Sequence, residues 1–241
     1  MISLRSIWTG VLVWFVLAWS AHAATISFGP TAYVATGDTP ADFFCSACSG
    51  SIEDFESNSV DSFLSIDNGA ILSPNAFSGL MNSVTDSVDG DDGAVDGLGN
   101  GGHSWFTGAG EMNDNQVTVA FAMPVKSAGL VFTDGDAAAS QVTLEAFDSM
   151  GNSLGLIEAG DLADDTYTGE TAEDAFLGFQ DSEGRITSIT LTQNAGLGIE
   201  IDHVHWQQIC AVPEPTSFAL LFATVFGLAG LHRQRRNSMS A

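Results

Sequence analysis

Apolar and polar positions alternate along much of the chain between residues 24 and 211. Val117, Val119 and Phe121 alternate with Gln116, Thr118 and Ala120, and Val142, Leu144 and Ala146 with Gln141, Thr143 and Glu145. A period of two puts successive side chains on opposite faces of a strand, so both stretches predict half-buried β-strands. Residues 127–132, 153–158, 175–179, 186–192 and 199–206 carry the same strand character. Turn-forming residues separate them, as in Thr133-Asp134-Gly135-Asp136 and Ser149-Met150-Gly151-Asn152. No long amphipathic helix interrupts this spacing. The expectation is an all-β fold, an antiparallel β-sandwich or jelly roll.

The last of these segments breaks the alternation. Ile199 and Ile201 share one parity, Val204 and Trp206 the other. A regular strand cannot turn both sets to one side, because a one-residue slip moves every following side chain to the other face. Either a β-bulge near Asp202-His203 restores the register, or the strand is covered on both faces. A bulge would aim Asp202 or His203 at a loop edge, where ligands are met.

Both ends depart from the strand pattern. Residues 1–23 hold Arg5, an apolar stretch over 7–18 and Ala21-His22-Ala23, the three parts of a secretory signal peptide cut after Ala23. Residues 212–241 hold Pro213-Glu214-Pro215, a hydrophobic helix predicted over 217–231, and Arg233, Arg235 and Arg236. As a helix the apolar part, 218–231, spans about 21 Å, short of a ~30 Å hydrocarbon core. Snorkelling arginines extend its reach and favour the cytoplasmic side.

This order of tripeptide, apolar helix and arginine cluster resembles the PEP-CTERM sorting signal. The resemblance implies an exported protein, held in the cytoplasmic membrane by its tail and processed by an exosortase near the tripeptide. Its destination would then be the cell surface or the extracellular matrix of a biofilm-forming, polysaccharide-producing Gram-negative bacterium. The plain alternative is a membrane anchor. What remains is one exported domain, 24–211, long enough for a single well-buried core.

Charge sharpens the picture. Setting the terminal signals aside leaves 29 acidic side chains (30 less Glu214) against Lys126 and Arg185 alone (six basic less Arg5 and the three tail arginines), a formal charge of −27. Such a surface excludes nucleic acid as a partner, because phosphate binding needs basic residues. Divalent cations become natural partners, since crowded carboxylates repel one another unless screened or chelated. A surface adapted to salt water, or kept soluble by repulsion, accounts for the same charge.

The densest acidic stretch is Asp86-Ser-Val-Asp-Gly-Asp-Asp-Gly-Ala-Val-Asp-Gly, in which Asp86, Asp89, Asp91, Asp92 and Asp96 crowd eleven positions. Calcium takes six to eight oxygens, and glycines let a loop bring carboxylates and carbonyls around one ion. An EF-hand does not fit, because position 12 counted from Asp89 is Asn100. The expectation is a calcium site in a loop of a β fold, set against an acidic loop without an ion. Asp134 with Asp136, and Asp181 with Glu183, are weaker candidates.

Other chemistry is thinner. Export favours oxidised thiols, so Cys45-Ser-Ala-Cys48 either closes a local bridge or sends one cysteine to Cys210. Gly102-His103-Ser104-Trp105-Phe106 opens like a nucleophile elbow, but Phe106 stands where a glycine is required. His103, His203 and His205 are candidate metal ligands, and no carboxylate pair stands out as a glycosidase dyad. No enzyme is expected. Trp105 and Trp206 offer ring faces for sugar, with Asp202 as a polar contact, although core packing is the commoner use of tryptophan in a sandwich.

The stretch from Phe176 through Asp181 and Gly184 to Leu191, followed by Gly198 to Asp202, loosely resembles the closing strands of galactose-binding-like β-sandwiches. That resemblance implies a carbohydrate-module architecture, often with a structural calcium. Two functions follow as expectations, with a hydrolase a distant third. One is a noncatalytic, calcium-stabilised surface or matrix module that meets extracellular polysaccharide. The other is an acidic structural or spacer protein of the envelope.

Overall fold

The computed structural model describes residues 24–209 except 47, 75–83, 109–114, 136–139, 164–165, 167 and 197. The strands among them are β1 (Thr25–Ala32), β2 (Ser51–Glu53), β3 (Leu64–Ile66), β4 (Ala70–Leu72), β5 (Ser104–Phe106), β6 (Gln116–Gly135), β7 (Gln141–Phe147), β8 (Ser153–Asp161), β9 (Ala175–Asp181), β10 (Ile186–Gln193) and β11 (Ile199–Gln208). Every pairing between them is antiparallel. The helical pieces among the described residues are two short 3-10 turns, Thr36–Asp38 and Asp89–Asp92. None is long and apolar enough to cross a membrane. The stretches expected to be a signal peptide and a sorting tail with an apolar helix lie outside the described residues.

Strand β6 organises the sandwich because its two halves pair with different partners. Its first half runs between β3 and β10, and β10 continues to β7 and β8. Its second half runs between β9 and β11, with β1 beyond β9 and β5, then β4, beyond β11. The crossing falls at Ala122–Pro124, exposed residues where pairing with β10 skips from Ala120 to Val125. Proline has no N–H to give a ladder, so an interruption of this kind is where it fits.

Burial differs between the two layers. The first half of β6, with β7, alternates buried and partly exposed residues, as expected of a sheet with one wet face. By contrast, the second half of β6, with β9 and β11, is buried almost without a break. Its inner face supplies Leu130, Phe132, Leu177, Phe179, Ile199 and Ile201 to the main core, against Val119, Leu144, Ile189 and Leu191 of the other layer. A second, smaller core of Tyr33, Phe43, Val88, Val131 and Phe176 covers the opposite face. There Gly129 and Gly178 pair across β6 and β9, and His205 of β11 pairs with Gly129. The missing side chains leave a trench for the rings of Phe43 and Phe176.

Both readings of the last strand hold together. The register of β11 against β6 slips between Asp202 and His205, and His203 adopts φ +40°, rare for a residue with a Cβ. Ile199, Ile201, Val204 and Trp206 all reach the main core, while the strand is covered on its other face as well.

A Cβ at Gly178 would stand 2.7 Å from Phe43 Cε2 and 3.1 Å from the Ala128 carbonyl. Gly178→Ala is therefore expected to cost about 1–3 kcal/mol, the range for overpacking a filled core. Urea denaturation of the full chain measures it, and an unchanged midpoint would mean that the small core is loosely packed.

Candidate functional site

The outer face of β11 carries a row of polar side chains, each of which fastens a covering loop. Glu200 Oε1 accepts the Asp86 N–H at 2.8 Å and the Ser104 hydroxyl. Asp202 Oδ2 accepts the Val88 N–H at 2.9 Å, and its Oδ1 the His203 N–H at 2.6 Å. His203 Nε2 meets Asp91 Oδ2 at 2.8 Å. The Tyr33 hydroxyl lies 2.9 Å from His203 Nδ1 and 3.2 Å from His205 Nε2. Gln207 donates to the carbonyls of Cys45 and Cys48 and accepts the Cys45 N–H.

At the Glu200 end the row opens into a pocket of buried carboxylates. A second slip, between Glu200 and Ile201, pairs Glu200 with Asp134 of β6, and directly paired residues share a face. Glu173 and Asp174, just before β9, and Asp86 from the loop act on the same group of charges. Asp86 and Asp174 are each 1% exposed, and all four of their carboxylate oxygens lack a hydrogen-bond partner. Burial, then the neighbouring carboxylates, pushes Asp86 well above its usual range and Asp174 to about 9. Burial raises Glu200 to about 7.

Neither basic side chain among the described residues figures among the main charges on this pocket. Arg185 is held by Asp181 and Glu183 at the other end of β9, and no lysine or arginine figures among the charges acting on Asp86, Asp174, Glu200 or Asp202. Isolated buried carboxylates are costly, so the pocket either keeps its protons or takes a cation.

Beside it lies a smaller constellation. Ligand atoms of Asp91, Asp202 and His203 lie within 4.8 Å of one another, the one such group of three among the described residues. Burial and then the charge of Asp91 push Asp202 well above the usual carboxylate range. Burial, with His203 beside it, lowers His205 to about 3 and keeps it neutral, and burial raises Tyr33.

The five loop carboxylates do not converge on one point. Asp86 enters the acidic pocket and Asp91 turns to His203. Asp89 is spent inside the loop, accepting the N–H groups of Asp96 and Gly97 and the Thr171 hydroxyl. Asp92 accepts the Ala94 N–H in an exposed turn, and Asp96 is exposed. A single cage from all five is thus not formed. Glu200 and Asp174 were missed by sequence reasoning. The signal for Glu200 was present, a carboxylate between Ile199 and Ile201 within an apolar strand.

The tryptophans are core residues. Trp105 is 9% exposed and donates its Nε1–H to the Asn68 carbonyl, and Trp206, 4% exposed, stacks on Phe63. Asp202 is buried, so none of the three offers a sugar an open contact. Ser104 lies in β5 and gives its hydroxyl to Glu200, and His103 pairs with Glu56 at 3.1 Å, so no nucleophile elbow forms. Cys48 is disulfide-bonded and Cys45 is free, so the local Cys45–Cys48 bridge is not made; Cys210 lies outside the described residues.

No known protein family matches the chain, and none of the curated proteins does. Among solved structures, a DUF4465 family protein from Bacteroides caccae is similar at 9% identity and TM-score 0.39, covering 76% of this chain and all of that one. The catalytic domain of a GH87 α-1,3-glucanase is similar at 14% identity and TM-score 0.35, covering 69% of this chain and 30% of the glucanase. The CBM22–GH10 modules of a Clostridium thermocellum xylanase follow at 10% identity and TM-score 0.29, covering 47% of this chain and 23% of theirs. These likenesses are too distant to speak for ligand or activity.

The raised carboxylates set the sign of a pH effect. In the unfolded chain they ionise near pH 4, whereas the folded, metal-free chain holds protons on Glu200 to about pH 7 and on Asp174 to about pH 9. The folded state thus binds more protons across that window, and its stability must fall as pH rises through it. Asp181 works oppositely at the acid end: burial opposes its charge, but Arg185 outweighs burial and holds it below the usual value, a contribution lost as pH falls. The urea midpoint of the full chain in EDTA is expected to be lower at about pH 8.5 than at about pH 5.5. A flat or rising profile would show that the pocket does not hold its protons.

Proposed function

We propose that this protein is an exported, noncatalytic β-sandwich of the cell surface or extracellular matrix, processed by an exosortase at its tail, stabilised by calcium and in contact with extracellular polysaccharide. One observation supports the calcium above all: Asp86 and Asp174 are buried with unpartnered oxygens, beside Glu200 and Asp134, with no lysine or arginine among the described residues figuring in the main charges on them. An all-oxygen set of hard donors suits calcium, whose shell of six to eight ligands tolerates irregular geometry better than the octahedron of magnesium. No three of these carboxylates close to within 4.8 Å, so an ion would draw them inward. Because Glu200 and Asp86 also tie the covering loop to β11, such an ion would fasten the outer layer to the sheet.

The export route and partner class rest on the resemblance of the tail to a sorting signal found in polysaccharide-producing bacteria. The tryptophans do not supply a stacking platform, and none of the exposed large apolar side chains among the described residues is aromatic. Contact with polysaccharide would therefore run through exposed carboxylates, backbone groups and bridging calcium. The alternative, an acidic spacer without a specific ligand, shares the fold and the charge and lacks this retention.

Melting of the full chain in EGTA, magnesium or calcium tests the ion. Calcium at a hundredfold excess over its Kd is expected to stabilise by about 2.7 kcal/mol, with less from magnesium, and the gain should grow with pH as protons leave the pocket. Asp174→Asn is expected to raise stability in EGTA at about pH 8, by removing a carboxyl group that must take up a proton on folding, and to abolish the calcium gain. Equal shifts with both ions would reduce the pocket to screened charge.

Retention of the full chain on immobilised bacterial exopolysaccharide, with release by EGTA, tests the partner. Passage without retention in calcium would favour the spacer. Release of reducing ends from the polysaccharide would overturn the noncatalytic reading.

A further inference from the structure

We propose that Asp91, Asp202 and His203 form a second metal site, of the mixed imidazole–carboxylate type that takes zinc rather than calcium, with Tyr33 and His205 as its positioning residues. Their ligand atoms already lie within 4.8 Å of one another, and Asp202 and His203 are fully buried. One imidazole and two carboxylates are a set that suits zinc and its first-row neighbours, whereas calcium and magnesium prefer oxygen alone.

Three further observations point the same way. The first is strain. His203 sits at φ +40° in the β11 bulge, a conformation that costs energy for a residue with a Cβ and that gathers at functional sites. The bulge turns the ring toward Asp91 rather than into the main core. The second is the supporting shell. A metal-bound histidine commonly has its other ring nitrogen held by a hydrogen bond, and His203 Nδ1 has the Tyr33 hydroxyl at 2.9 Å, backed by His205 Nε2 at 3.2 Å. Both oxygens of Asp202 also receive backbone N–H groups, which hold the carboxylate in place while leaving lone pairs for an ion. The third is access. Asp91 is 13% exposed while His203 is closed off, so the site opens to solvent at one ligand only.

Loading has a definite consequence for protons. Without metal, His203 Nε2 lies 2.8 Å from Asp91 Oδ2, and in the tautomer that donates across this gap Nδ1 accepts from the Tyr33 hydroxyl. Two ligands of a tetrahedral zinc stand about 3.3 Å apart, so an arriving ion takes the Nε2 lone pair, spreads the pair by roughly half an ångström, and the single ring proton moves by way of solvent from Nε2 to Nδ1. His203 Nδ1 then carries the ring proton and donates to the Tyr33 oxygen, which leaves the Tyr33 O–H to donate to His205 Nε2. Metal binding thus reverses the hydrogen-bond direction between His203 and Tyr33.

The test uses the full chain in a Cys45→Ser background, which removes the free thiol as a competing ligand. Stripped protein is titrated with zinc against a chromophoric chelator, and with cobalt(II) for its visible spectrum. One zinc per chain is expected, with a cobalt spectrum of low coordination number and a shift of the His203 ring nitrogens in 15N NMR. Asp91→Ala and His203→Asn are expected to weaken zinc at least a hundredfold and leave the calcium response intact. Asparagine is chosen because it tolerates positive φ, so folding is preserved as imidazole is lost. Tyr33→Phe should keep the stoichiometry and weaken affinity about tenfold. Asp174→Asn should do the reverse of His203→Asn, losing calcium and keeping zinc, which separates this site from the calcium pocket. Absence of stoichiometric zinc binding, or binding unchanged in both Asp91→Ala and His203→Asn, would overturn the proposal.

Discussion

The slip in β11 at Asp202-His203 is the constraint on which the rest of the molecule turns. Without it, Ile199 and Ile201 would face the main core and Val204 and Trp206 would face away, or the reverse. With it, all four side chains fill one core, and at about 1.5–3 kcal/mol for each large apolar side chain buried the gain exceeds the cost of one residue at positive φ. The polar residues between them are then forced to the other side. Glu200, Asp202, His203, His205 and Gln207 stand in a row there: the first three hold the loop at Asp86, Val88 and Asp91, His205 meets Tyr33, and Gln207 holds Cys45. One bulge therefore completes the core, fastens the covering loops and assembles the candidate sites.

That arrangement explains why the second layer of the sandwich is buried on both faces. A sheet face that holds charged groups would ordinarily be left to water. Here the segments around Tyr33, Phe43 and Val88 close over it, with the Phe43 ring, beside Phe176, lying in the trench left by Gly129 and Gly178. The hydrophobic gain of the small core and the desolvation of the carboxylates are thus bound to each other. Buried Asp86 and Asp174 cannot return to water unless Tyr33 and Val88 do so as well. Protons on those oxygens, or a cation among them, would relieve the conflict.

The wider charge distribution sharpens this conflict. Among the described residues the lysines and arginines are Lys126 and Arg185, Arg185 is held by Asp181 and Glu183, and neither figures among the main charges on the buried carboxylates of the pocket. Most of its acidic residues lie on the surface, where repulsion is screened by salt and favours solubility. The few that are buried cannot be screened. Asp86, Asp174, Glu200 and Asp202 therefore stand apart from the other carboxylates, although all are alike in sequence.

Periodicity along the chain determined the strand content, the antiparallel class and the need for a bulge or double cover in the last strand. These follow from local rules: two-residue alternation, turn residues between strands, and the parity of Ile199 and Ile201 against Val204 and Trp206. Only the tertiary structure decided which of the five loop carboxylates point inward. Local spacing made them equivalent, whereas Asp89 is consumed by N–H groups of its own loop, Asp92 and Asp96 face water, and Asp86 and Asp91 part toward different partners. It also decided that Trp105 and Trp206 are core, and that Glu200 and Asp174, 26 residues apart in the chain, belong to one pocket. A side chain's direction along one strand is a local property. Which charges become neighbours depends on how distant strands pair, and no pattern within a single segment carries that.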